Sequence, residues 1–139
     1  MKKWIVCILL IVILLSLTAC SKDAISSDQF CSVVTARGFT IVGTDTGSFS
    51  AVKEEYYISY FPNNAESVYT TAVNSLEMGA SFHALVKTET SGSNYKIYEG
   101  VCGDRCLVIC CVDDTAVLSH ADAQYLDQIR ADFDALGYR

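Results

Sequence analysis

The chain has 139 residues, of which 51% are hydrophobic, and carries a formal net charge of −6. That size fits one domain able to bury its own core. The acidic balance argues against nucleic acid and against a basic patch for anionic lipid headgroups.

The first twenty residues stand apart from the rest. Lys2-Lys3 precedes an almost unbroken apolar run from Trp4 to Leu15. That run has the length of a signal-peptide core and falls short of the ~20 residues of a spanning helix. Leu17-Thr18-Ala19-Cys20 follows: an aliphatic residue, two small ones and a cysteine. The pattern resembles the lipobox of bacterial lipoproteins. The resemblance implies diacylglycerol transfer to the Cys20 sulfur and cleavage between Ala19 and Cys20. Residues 1–19 are then a removed leader, residues 20–27 a lipidated cysteine and polar tether, and residues 28–139 the folded domain. Loss of Lys2 and Lys3 takes the formal charge to −8, so attachment to the membrane rests on the lipid. Two or three acyl chains on one residue suffice for stable anchoring, whereas a single chain is marginal. The expected location is the outer face of the cell membrane; Ser21 after Cys20 also permits outer-membrane sorting in a Gram-negative host.

Ser26 and Gln29 form a capping-box pair at the start of a first helix, with Phe30, Val33 and Val34 on one face and Gly38 as its stop. Phe39 to Val42 reads as a strand, Gly43 to Ser50 as a Gly/Ser/Thr-rich loop, and Glu55 to Phe61 as an aromatic strand ended by Pro62. Asn63 with Glu66 suggests a second cap. Ala65, Val68, Tyr69, Ala72, Val73 and Leu76 recur at helical spacing up to Met78, with Gly79 as the expected cap. Ala80 to Val86 is ambiguous, and Thr88 to Asn94 reads as a polar loop. Tyr95 to Val101, Cys106 to Val112 and Thr115 to Ser119 read as a meander turning at Gly103-Asp104-Arg105 and Asp113-Asp114. A last helix starts with Ser119 or Asp122, carries Leu126, Ile129, Phe133 and Leu136 and ends at Gly137. The order αββαβββα, with helices separated by hairpins, predicts a single α+β domain, a mainly antiparallel sheet and helices on one sheet face. Residues 28–39 and 127–138 are alike, each ending in Gly and an aromatic, which fits either a decayed duplication or what any two amphipathic helices with that ending share.

Five cysteines remain once Cys7 leaves with the leader and Cys20 is acylated: Cys31, Cys102, Cys106, Cys110 and Cys111. They can serve as small buried apolar residues. Cys102 and Cys106 flank a three-residue turn, which makes them a candidate cross-hairpin disulfide. Alternation sends Cys110 and Cys111 to opposite faces, and His83 and His120 show no ligand spacing, so no metal or cofactor is expected. Asp113-Asp114 reads as turn chemistry, and Tyr56, Tyr57, Tyr60, Phe61 and Tyr69 as core and cross-strand pairs. There is no Gly-rich phosphate loop and no nucleophile elbow.

Phe30…Gly38-Phe39-Thr40-Ile41, Tyr56 to Met78, Tyr95 to Ser119 and Leu136-Gly137-Tyr138, together with the lipobox, give a chain that resembles small lipoproteins of Gram-positive bacteria of the Firmicutes type. The resemblance implies a fold and a location and brings no activity or site residue. The expected function is a non-catalytic binding module on the membrane surface, held by lipid through Cys20 and meeting an envelope protein or small ligand. The alternative is thiol-based redox or metal handling through Cys102 and Cys106.

Overall fold

The computed structural model describes residues 21–43 and 47–138. The Ala19–Cys20 cleavage and lipidation position, and the leader before it, lie outside them.

Helix α1 (Ser27–Ala36) begins as the sequence predicts. The Ser26 hydroxyl accepts the Gln29 backbone N–H while the Gln29 side chain accepts the Ser26 backbone N–H. It ends where Gly38 takes a positive φ of 86°, which lets the Phe39 N–H donate back to the Val34 carbonyl at 3.0 Å. Three strands follow: β1 (Thr40–Gly43), β2 (Phe49–Lys53) and β3 (Tyr56–Phe61). Helix α2 (Ala65–Glu77) passes through a short 3₁₀ turn (Met78–Ser81) into β4 (Leu85–Ser91), β5 (Tyr95–Cys102), β6 (Arg105–Val112) and β7 (Thr115–Asp122). A second 3₁₀ turn (Ala123–Tyr125) leads into α3 (Leu126–Ala135).

The observed order is therefore αβββαββββα, an α+β domain with two strands more than expected. Strand β2 covers part of the segment read as a loop. It forms because Phe49 and Ala51 point inward while Ser50 and Val52 point out, paired with Tyr60, Ile58, Ser59 and Tyr57 of β3. Strand β4 overturns the polar-loop reading of Thr88 to Ser91. It is an edge strand, exposed along nearly its whole length, so its polarity reflects solvent on both sides. Three helix boundaries also differ. The last helix begins at Leu126 and not at Ser119 or Asp122, because β7 pairs with β6 as far as Asp122 and a 3₁₀ turn follows. The N-cap of α2 is Asn64 with no side-chain cap bond, and Asp114 from the β6–β7 turn accepts the Ala65 N–H instead, at 3.2 Å. Gly79 does not cap α2; it lies within the 3₁₀ turn, packed close over the Cys102 sulfur.

All seven strands form one sheet in the order β1-β2-β3-β7-β6-β5-β4, antiparallel throughout. The helices do not share one face. Phe30 and Val34 of α1 and Ile129 and Phe133 of α3 pack with Ile58, Tyr60, Val108, Cys110 and Val117 on one side. Ala65 and Leu76 of α2 pack with Tyr98, Leu107, Ile109, Cys111 and Leu118 on the other. The physical reason lies in β6: from Cys106 to Val112 every residue is buried, so both faces of that strand need cover. Covering only one would leave Leu107, Ile109 and Cys111 in water.

The tether reading also changes. The Lys22 N–H donates to Asn94 Oδ1 at 3.1 Å, and Asn94 Nδ2 donates to the Lys22 carbonyl at 2.8 Å. The Ile25 N–H donates to the Tyr138 hydroxyl at 2.8 Å, and the Tyr60 hydroxyl donates to the Ile25 carbonyl at 3.2 Å. Residues 22–25 are thus fastened to the body, and only Ser21 stands between them and Cys20.

Candidate functional site

The cysteines do not converge. The β5–β6 turn is Gly103-Asp104, with Gly103 at a φ of 62°, so Cys102 pairs with Arg105 and Cys106 with Val101. The expected three-residue turn is corrected by one position, and a one-residue slip sends every side chain to the other face. Cys106 lies in the core under α1 and α3, Cys102 in the core under α2, and both thiols are free, so the Cys102–Cys106 disulfide does not form. Cys110 and Cys111 separate in the same way, as alternation predicts. Burial pushes the thiols of Cys110 and Cys111 up to about 12 and raises that of Cys106, so thiolate is disfavoured at each. Native protein treated with a thiol reagent is expected to react at the half-buried Cys31 alone among the five. The other four should label only at the rate of global unfolding; rapid labelling of any of them would contradict this packing.

His83 packs against the Gly103 backbone, and His120 is held below its ordinary pKa by burial and by Arg105 nearby. No group of three or more His, Cys, Asp or Glu side chains able to hold a metal occurs among the described residues.

A different cluster gathers polar chemistry: Arg37 just past α1, Lys53 at the end of β2, Tyr56 at the start of β3, and Asp132 in α3. Asp132 sits three residues after Ile129, on the stripe that α3 buries, and its side chain is 2% exposed. A carboxylate there needs partners. Arg37 Nε donates to Oδ1, and the Tyr56 hydroxyl donates to Oδ2 at 2.6 Å. Tyr56 is fixed from both sides, stacked on Tyr125 with centroids 5.3 Å apart and edge-on to Phe39 at 5.6 Å. Burial first, and then the Asp132 bond, holds its hydroxyl well above the usual phenol range.

With Nε committed, the two terminal nitrogens of Arg37 have no partner among the described residues, and its side chain is 36% exposed. Lys53 Nζ donates to the Arg37 carbonyl at 3.1 Å, at the C-terminal end of α1, and lies 5.6 Å from the Phe39 ring centroid. Together with Gln124, Asp127, Gln128 and Ala131 these residues line an open groove of about 540 Å³. Asp127 is engaged by Arg130 Nη1 at 2.9 Å, and Glu55 in the neighbouring turn accepts the Tyr125 hydroxyl at 3.0 Å. The groove therefore presents two fixed cations, two amides and two carboxylates, and both carboxylates are already engaged, Asp132 by Arg37 and Tyr56 and Asp127 by Arg130.

Sequence reading singled out Tyr56 alone from this set, and as core. The signal that was available is Asp132, an acid on the apolar stripe between Ile129 and Phe133.

No protein-family model matches the chain, and none of the curated proteins matches it in sequence. Among solved structures, a GTP binding regulator from Thermotoga maritima is similar in fold. It has a TM-score of 0.51 and 9% identity over 83% of this chain and 90% of that one. At that identity the likeness shows the fold alone. Among the described residues no helix is long and apolar enough to cross a membrane.

Proposed function

We propose that this chain is an extracytoplasmic lipoprotein, anchored through acylated Cys20, whose body is a non-catalytic module binding a small ligand with a carboxylate or phosphate group. The anchor rests on the Leu17-Thr18-Ala19-Cys20 pattern. The observation that carries the binding reading is the Arg37–Lys53 pair, two fixed cations on the rim of one groove in a strongly acidic body. Arg37 is oriented by Asp132, so little side-chain freedom is lost when its free nitrogen atoms meet a planar anion. That Cys102 and Cys106 lie in different cores supports the binding reading over the thiol-based alternative.

Two measurements test the two halves. An alkyne-tagged fatty acid fed to cells should label the wild-type chain and leave Cys20→Ser unlabelled; label retained on that variant would refute the anchor. Mature lipoprotein in detergent should gain thermal stability in saturable fashion with at least one of succinate, inorganic phosphate and GTP, and Lys53→Gln should lose the gain. No shift with any of the three would remove the groove from consideration.

A further inference from the structure

Strand β4 closes one end of the sheet, and its outer edge has no strand partner among the described residues. It is seven residues long and exposed at all but Leu85. Long bare edges are templates for pairing and are commonly guarded by an isolated Lys or Pro. Here Lys87 is not isolated: Glu89, two residues on and on the same face, receives its ammonium at 3.1 Å, as does Glu77 at 2.8 Å. Val86 on the strand, at 71% exposure, and Phe82 and Met78 in the segment leading into it, at 86% and 76%, are apolar side chains that the fold leaves in water.

We propose that this edge is a self-pairing surface: two copies join antiparallel through β4 about a two-fold axis at Thr88. Residues directly opposite in an antiparallel pair point to the same face. A two-fold relating two copies of one strand must therefore pass through a residue position. Centred on Lys87 it sets Lys87 against Lys87; centred on Glu89 it sets Glu89 against Glu89. Centred on Thr88 it sets Lys87 against Glu89 of the second copy, twice, and pairs all seven residues from Leu85 to Ser91. Charge and length select the same register. Like charges directly opposite destabilise a ladder and opposite charges support it. The interface is isologous and closes on itself, so it makes a dimer and not a fibre.

The same rotation suits the proposed anchor. An axis normal to the sheet keeps the α1/α3 face of both copies on one side. Lys22 lies on that side, 5.3 Å from the Tyr95 ring centroid and lining one hollow with Thr88 and Thr90. Both Lys22 residues, two positions after the proposed anchor, then face the same side.

The register is tested by cysteine crosslinking of the full-length mature protein in its own membranes, in a Cys31→Ser background. Oxidation should give a covalent dimer with Thr88→Cys, none with Val86→Cys or Thr90→Cys alone, and a dimer again when Val86→Cys and Thr90→Cys are combined. No dimer with Thr88→Cys, or equal dimers from all three single variants, would overturn the proposal. Charge gives a second arm, read by sedimentation of the detergent-solubilised protein. Lys87→Glu and Glu89→Lys should each self-associate about tenfold more weakly than wild type, while their mixture should dimerise like wild type, because the mixed pair restores Glu against Lys at both positions. Dissociation constants unmoved by either reversal would equally refute it.

Discussion

Replacing Arg37 with alanine is expected to destabilise the fold by about 2–3 kcal/mol, below the range of a fully buried ion pair because the guanidinium is 36% exposed. The cost comes less from the lost attraction than from what stays behind. Asp132 is buried on α3, and after the substitution only the Tyr56 hydroxyl, among the described residues, serves it. Asp132→Ala should cost less, because Arg37 is partly exposed and can turn its guanidinium to water. The distinguishing result is the double variant. Arg37→Ala with Asp132→Asn is expected to be more stable than Arg37→Ala alone, since removing the charge removes the need for its partner. Urea unfolding of the four proteins gives the answer; a double variant at or below the stability of Arg37→Ala would show that the cluster is held by packing alone. The same cluster sets an alkaline limit. Folding holds the Tyr56 hydroxyl above the 10.0 of a free phenol, so its contribution is complete below that value and is lost as the pH rises through its folded pKa. Tyr98, at about 12 through burial first and then Glu77, acts in the same direction.

What the sequence made legible was local. Ser26 with Gln29 marks a helix start and Gly38 and Gly137 mark two helix ends because each is a contact within four or five residues. The cap of α2 was not legible in the same way, since Asp114 supplies it from a turn 49 positions along. Strand β4 escaped because an edge strand wet on both faces has no apolar alternation to show. The second helix layer was readable in principle: a strand apolar at every position from Cys106 to Val112 is covered on both sides. The groove was out of reach for a different reason. Arg37, Lys53 and Asp132 come from three elements, and sheet register together with the α1 and α3 packing brings them together.

Gly100→Val is expected to destabilise by about 3 kcal/mol, at the upper end for overpacking a filled core, and Gly100→Ala by about 1–2 kcal/mol. Gly100 sits mid-strand in β5 with its missing side chain toward α2. A Cβ there would lie 2.7 Å from Leu76 Cδ2 and 2.7 Å from Cε1 and the hydroxyl oxygen of Tyr98. Tyr98 precedes it by two residues on the same face, lays its ring across the glycine and donates to Glu77 Oε1 at 3.2 Å. The ring is fully buried and meets Tyr69 edge-on at 6.4 Å, so it cannot swing aside without giving up both contacts. Glycine ordinarily weakens a strand. Its presence here follows from the close approach of α2, which docks Leu76 over the gap. Leu76→Ala leaves a cavity when made alone, yet it removes one of the clashing atoms. In the Gly100→Ala background it should therefore cost less than in wild type, a coupling that thermal or urea melts of the four proteins would resolve. Strictly additive losses would mean that α2 stands further from β5 than the packing of Leu76 on Gly100 requires.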